Sequence, residues 1–289
     1  MKIRLMLACF AMVMASCSND DDKSGNNNDP GENGEKILRE IVQTEFNPDG
    51  SVKQTSKTYF DEDRAVLEEW YNNLNELNTK SEFTYTNSGS LESMTHYSAA
   101  TGMQTPDYGY TLAYDGTGRV ISKNETGTTT ASTTFVHTDN GTNTITSTTT
   151  SGSGESVYTV YYINTSGLLY KKTAGTVTEE LTYTETNILK YTDGAVSSDF
   201  EYDNEAAPKG HQHKVVLNQF KGNTINALLI NGLLTQSLGN SKYITQRTDN
   251  NGDVFTYEYQ FNGEDYPTKV RCFKNGASVP YSIREIYYE

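Results

Sequence analysis

Phe255-Thr256-Tyr257-Glu258-Tyr259-Gln260-Phe261 puts an aromatic ring at every odd position and a polar side chain at every even one. A period of two belongs to a β-strand, because successive side chains point to opposite faces. One face of this strand is predicted to be buried and the other to meet water or a partner. Phe83-Thr84-Tyr85, Leu181-Thr182-Tyr183 and Phe200-Glu201-Tyr202 repeat the pattern in short form. Outward from such runs, the chain repeats one unit: an aromatic residue, a turn with Asp or Asn and Gly, and an apolar residue opening the return. Examples are Phe46 to Val52, Tyr85 to Leu91, Tyr114 to Val120, Tyr162 to Leu168, Tyr191 to Val196 and Phe273 to Val279. Glycine supplies positive φ without a Cβ clash, and Asp or Asn closes the turn through its side chain. Turn glycines at 89, 118, 141, 167 and 194 recur at intervals of 29, 23, 26 and 27 residues, room for two strands and two turns.

Composition agrees with that reading. Of 289 residues, 35% are hydrophobic, yet aromatics reach 11%, with 21 Tyr. This is not the aromatic-poor signature of disorder; it fits sheets whose faces are covered by Tyr and Thr. The segment Thr128 to Thr150 carries Thr and Ser on both faces and is predicted to project beyond the core or lie at a solvated edge. Arg64 to Lys80 is ambiguous: Leu67, Trp70, Leu74 and Leu77 have helical spacing, but Tyr59 to Val66 resembles another hairpin tip, and strands preserve the repeat. Asn223 to Leu234 is apolar nearly all round, with Asn223 placed as an N-cap, and reads as a short buried helix or a buried loop with one helical turn. The fold class is therefore mainly β: a long antiparallel meander of about fourteen or more strands, forming a strongly curved sheet or an incomplete soluble barrel, with one short buried helix near 223–234.

The N-terminus is an address. Lys2 and Arg4 precede an apolar run from Leu5 to Met14 and the small residues Ala15 and Ser16, which makes 1–16 a signal peptide too short to span a bilayer. Met14-Ala15-Ser16-Cys17 resembles the bacterial lipobox; the resemblance implies cleavage before Cys17 and acylation of its sulfur. The alternative is a secreted protein with a chance cysteine. Ser18 with Asp20-Asp21-Asp22 resembles the acidic export signal of Bacteroidetes surface lipoproteins, against the plainer reading of a solvated linker. Residues 17–36 lack apolar side chains after Cys17 and read as a flexible acidic tether, leaving 37–289 as a single β-rich domain.

Charge and cysteine usage narrow the function classes. There are 23 Lys+Arg against 37 Asp+Glu, a net charge of −14; removing Lys2 and Arg4 leaves 21 against 37, or −16. Such a chain repels phosphate backbones, so no nucleic-acid partner is expected. After Cys9 leaves with the signal peptide and Cys17 is acylated, Cys272 remains alone, which excludes a disulfide or a cysteine zinc site.

Motifs for chemistry are few. His211-Gln212-His213 places two imidazoles on one strand face, a spacing that can hold a metal, but a surface position is the plainer reading. Asp249-Asn250-Asn251-Gly252-Asp253 has oxygens at positions 1, 3 and 5 of a calcium loop, yet Val254 and Gln260 stand where Gly and Glu belong, which favours a hairpin turn. Asp61-Glu62-Asp63 is an acidic tip. No GxSxG, SxxK, Walker or HExxH motif occurs, so no catalytic residue and no cofactor is assigned. Tyr-rich strand faces and Trp70 can stack on sugar rings or simply pack as cross-strand ladders.

At Tyr114-Asp115-Gly116-Thr117-Gly118-Arg119-Val120 the chain resembles the YD repeat of Rhs-type shells. Phe200-Glu201-Tyr202-Asp203 to Gly210, the apolar segment 225–234, and Tyr257-Glu258-Tyr259 through Tyr266-Pro267 to Val270 are similar, in that order, to a family of uncharacterised Bacteroides lipoproteins described as porin-like. The resemblance implies a β fold and an envelope location, and no activity. The expectation is a lipid-anchored outer-membrane protein facing the exterior, a non-enzymatic binding or structural module for a glycan or protein. The alternatives are a carboxylate-dependent glycoside hydrolase and a lipid carrier with an apolar cavity.

Overall fold

The computed structural model describes residues 36–62, 64–127, 130–138, 143–184, 187–194, 196–203, 224–231 and 242–289. They form eighteen strands. The first six are β1 (Leu38–Phe46), β2 (Val52–Asp61), β3 (Arg64–Tyr71), β4 (Leu77–Tyr85), β5 (Leu91–Ser98) and β6 (Pro106–Tyr114). Then come β7 (Val120–Gly127), β8 (Ala131–Thr138), β9 (Thr144–Ser151), β10 (Ser156–Ile163), β11 (Leu169–Ala174) and β12 (Val177–Thr184). The last are β13 (Asn187–Asp193), β14 (Val196–Tyr202), β15 (Ile244–Asp249), β16 (Val254–Phe261), β17 (Pro267–Lys274) and β18 (Ser282–Tyr288). Each strand pairs antiparallel with its neighbours in sequence, and β18 pairs with β1, Ile41 standing opposite Ile286.

The barrel is closed, which corrects the expectation of an incomplete one. An open sheet leaves two strands with unpaired backbone N–H and C=O groups, and joining β1 to β18 removes both edges. Ile37 N donates to Glu289 O at 3.2 Å, and Glu289 N donates to Ile37 O at 2.9 Å, finishing the seam. The reading of Thr128 to Thr150 as projecting or edge strands is corrected too: β8 and β9 each pair on both sides with their neighbours in the meander. Their inward Thr133 and Ser147 are buried, and Thr133 Oγ1 lies 2.8 Å from Thr149 Oγ1. The stretch from Arg64 to Lys80 forms strands, as the repeat interval required.

The meander has two rims. On one, every odd-numbered strand begins, and it begins with a buried side chain: Leu38, Ala65, Leu91, Val120, Ile145, Leu169, Ile188, Ile244 and Pro267. At six hairpins of this rim and at the β14–β15 pair, whose connection holds the helix, the register shifts, as between Ala113 and Tyr114 on β6 opposite β7. A bulge breaks the ladder locally and bends the strand. Ring side chains on the returning strands then reach the carbonyls of the opening residues. Tyr85 Oη donates to Ala65 O at 2.6 Å, Tyr114 to Leu91 O at 2.5 Å and Tyr183 to Leu169 O at 2.6 Å. Tyr202 donates to Ile188 O at 2.6 Å, Tyr259 to Ile244 O at 2.9 Å and Tyr288 to Pro267 O at 3.1 Å. His137 takes the same place toward Val120 O, its Nε2 donating at 2.8 Å.

The helix α1 (Thr224–Asn231) sits at this rim. Asn226, buried, accepts from Val120 N at 2.9 Å and donates from Nδ2 to Gly118 O at 2.8 Å. It thereby grips the turn Asp115–Arg119. In that turn Asp115 Oδ1 accepts from Thr117 N and Arg119 N, while Gly118 takes φ +81°. Leu229 is buried, and Ile225 and Ile230 pack on a core cluster that runs from Leu91 to Ile244. A second cluster, Leu38, Phe60, Ala65, Val270 and Ile286, adjoins it through Phe83 and Tyr257.

The outer face carries charge pairs alongside exposed side chains such as Val136, Tyr158 and Tyr287. Lys80 pairs with Glu82, Lys171 with Glu180, Lys190 with Asp199, Lys269 with Glu285 and Arg271 with Glu258, all on outward positions. Tyr114→Phe should lower stability by about 1–2 kcal/mol, because Leu91 O loses a buried donor, and Asn226→Ala, which orphans two backbone groups, should cost about 2–4 kcal/mol. Urea unfolding followed by circular dichroism measures both.

Candidate functional site

Cys17, Ser18, Asp20, Asp21, Asp22, His211 and His213 lie outside the described residues. Cys272 is buried on the inner face of β17, opposite Tyr257 and Ser282. Asp249 to Asp253 is a hairpin turn: Asp249 N donates to Asp253 O at 2.9 Å, Asp253 pairs with Lys274 Nζ at 2.8 Å, and Asp249 pairs with Arg247. The acidic tip is solvated at Asp61 and Glu62, and Arg64 Nη2 donates to Glu62 Oε2 at 2.7 Å. Among the described residues no three His, Cys, Asp or Glu are grouped to hold a metal.

Register brings other residues together. Ile41, Thr58, Glu68, Ser81, His96 and Tyr108 stand opposite one another across β1 to β6 and form one row on the inner face. Gln43, Ser56, Trp70, Thr79 and Ser98 form the next row. The bulge between Tyr59 and Phe60 sets the phase of β3, so that Glu68 and Trp70 turn inward while Leu67, Glu69 and Tyr71 turn outward.

Trp70 Nε1 donates to Glu68 Oε1 at 3.0 Å. Burial pushes the Glu68 carboxyl up to about 7, and the indole N–H opposes that shift. Glu68 is ringed by protein yet keeps some accessible surface toward the lumen. Ser81 Oγ lies 3.0 Å from His96 Nδ1, and the His96 ring stacks on Tyr108 with centroids 4.3 Å apart. Burial pushes the imidazole below its ordinary value, and the Asp107 carboxylate acts against that. The Tyr108 phenol is raised by burial first, then by Asp107 and Glu68, so its hydroxyl feels both carboxylates. Tyr108 is 45% exposed, the opening of this group to solvent. Asp107 Oδ1 is enclosed without a hydrogen-bond partner. One strand beyond Ser56, Gln43 Oε1 accepts from Arg284 Nε at 3.1 Å and Nη2 at 2.6 Å.

The arrangement can hold a ligand against ring faces with hydroxyl, imidazole and carboxyl groups. Trp70 was singled out from the sequence; Glu68, Ser81, His96, Asp107 and Tyr108 were not. A signal existed in Glu68-Glu69. Neighbouring residues on a strand face opposite ways, so one of two adjacent acids must turn inward.

No protein-family model matches the chain, and no curated protein does. Among solved structures it is similar to a porin-like protein from Bacteroides uniformis ATCC 8492, at 15% identity and a TM-score of 0.43, covering 87% of this chain and 96% of that one. A porin-like protein from Bacteroides vulgatus ATCC 8482 follows, at 11% identity and a TM-score of 0.33, covering 88% and 99%. A structure of TcdB2-TccC3-Cdc42 resembles it at 11% identity and a TM-score of 0.23, covering 84% of this chain and 14% of that one. None of these likenesses carries an activity across.

Glu68 makes stability depend on pH. The fold favours its protonated form, raising it from an ordinary 4.5 to about 7, so the stability it contributes is full below 4.5 and is lost as pH rises through 7. Glu68→Gln should therefore stabilise the barrel at pH 8 by on the order of 2–3 kcal/mol and leave it nearly unchanged at pH 4, read from denaturation midpoints at the two pH values.

Proposed function

We propose that this is a lipid-anchored protein of the bacterial envelope, held at the outer membrane through Cys17 and facing the exterior, whose barrel is a non-enzymatic binding module. One observation carries the reading: charge lies on the outer face, while the inner face of β1 to β6 holds a polar and aromatic group open at Tyr108. A barrel that spans a bilayer needs an apolar outer band, and outward Lys, Glu and Arg in mid-strand are costly there. A wall of this kind suits water, so attachment falls to the acyl chains implied by Met14-Ala15-Ser16-Cys17. The chain enters the barrel at Leu38, on the helix rim.

A glycoside hydrolase is a second reading, and one observation favours it: the Glu68 carboxyl is held near 7, where a general acid works. The lipid-carrier reading receives no support, since Ile225, Leu229 and Ile230 pack against the core cluster.

The anchor is tested in a bacterial host that processes lipoproteins. The chain should take up an alkyne-labelled palmitate, and Cys17→Ser should abolish the label and accumulate precursor. Protease added to intact cells should digest the barrel. Unlabelled wild-type protein would overturn the anchoring, and protection from protease would overturn the exterior orientation.

A further inference from the structure

We propose that the lumen group Glu68–Trp70–Ser81–His96–Tyr108, with Asp107, is a binding site for an organic cation, a ligand bearing an alkylated amino group. The inference rests on the reading of the barrel as a binding module and names what that module takes.

Several inner-face acids are neutralised by a neighbouring cation. Glu45 has Lys53, Glu125 has Lys123, Glu179 has Lys172 and Asp249 has Arg247, each pair meeting on the inner face or its rim. No ion pair among the described residues includes Glu68 or Asp107. The groups facing Glu68 along its row and the next are Thr58 and Ser56 from β2, Ser81 and Thr79 from β4, His96 from β5 and Tyr108 from β6, and Asp107 lies beside His96 and Tyr108. None is a cation at neutral pH, because burial holds the His96 imidazole below its ordinary value. The Arg284 guanidinium, on β18, donates to Gln43 on β1, two strands from Glu68. An enclosed acid without a counter-ion keeps its proton until a positive charge arrives.

The other half of the site is aromatic. Tyr108 stacks one face on His96 and stays 45% exposed, and Trp70 stands in the adjoining row beside Glu68. Ring faces attract cations most strongly when water is excluded. A net charge of −14 draws cations toward the molecule as a whole. A saccharide would use the rings and hydroxyls but leave the two acids without a counter-charge, which is why the cation is preferred.

Trp70 is the single tryptophan of the chain, so its fluorescence reports on the site without a label. The probes are choline, its uncharged isostere 3,3-dimethylbutan-1-ol, and methyl β-glucoside, titrated into the full chain. Choline should change Trp70 emission saturably, and the isostere should bind about tenfold or more weakly, the usual worth of one charged contact. Choline affinity should rise from pH 6 to pH 8 as Glu68 releases its proton, and Glu68→Gln should flatten that rise. Tyr108→Leu, at an exposed ring, should weaken choline several-fold without unfolding the barrel. Equal binding of choline and its isostere, or saturation by the glucoside alone, would overturn the cation while leaving the binding module standing. No response to any of the three would overturn the site itself, and palmitate labelling at Cys17 reports separately on the anchor.

Discussion

Every backbone group in the barrel has to find a partner, and two kinds of place make that hard: the ends of the sheet and the bulges. The seam between β1 and β18 answers the first. The ring of tyrosines on the helix rim answers the second. Each bulge bends a strand and disturbs its ladder next to the opening residue, and a phenol or, at His137, an imidazole then donates to the carbonyl there. Bending and satisfaction are therefore one device, repeated around the rim. Phe60 and Ile163 stand at the equivalent places on β2 and β10 and carry no side-chain donor, yet the opening carbonyls of their own hairpins, Ala65 O and Leu169 O, are taken by Tyr85 and Tyr183.

That device also separates the inside of the barrel into two environments. Toward the helix rim the inner face is apolar, with Leu91, Val120, Leu169, Ile188 and Ile244 buried and α1 gripping the Asp115 turn through Asn226. Toward the opposite rim it becomes polar, with hydroxyls and ion pairs such as Lys123–Glu125 and Arg247–Asp249. Glu68, Ser81 and His96 lie in the polar part, close enough to the packed part for burial to act on their ionisation. The position of the group along the barrel, more than any single contact, sets its chemistry.

The hairpins were legible because they are local. A turn such as Tyr114 to Val120 states its aromatic residue, its Asp, its Gly and its opening apolar residue within seven positions. Closure was not legible, because Ile41 and Ile286 meet only once the whole meander has curved. The Thr-rich β8 and β9 were misread for a related reason. Burial of Thr133 and Ser147 follows from closure of the wall, and their own composition suggests exposure. The candidate site was half legible. Trp70 and the adjacent Glu68-Glu69 pair are visible in the sequence, but the row joining Glu68 to His96 depends on the phase set by a bulge at Phe60. Tyrosines were expected to cover sheet faces, and their hydroxyls turn out to carry the backbone bonds of the helix rim.

The seam has a bearing on folding. Every other pairing joins strands that are neighbours in the chain and can form as soon as those two meet, whereas β1 waits for β18, seventeen strands on. Until then β1 is a free template for another chain. Arg39, Glu40 and Glu45 along β1 are the kind of charged residues that make such an edge a poor partner for a stranger. A strand that must wait longest for its mate carries its own protection against the wrong one.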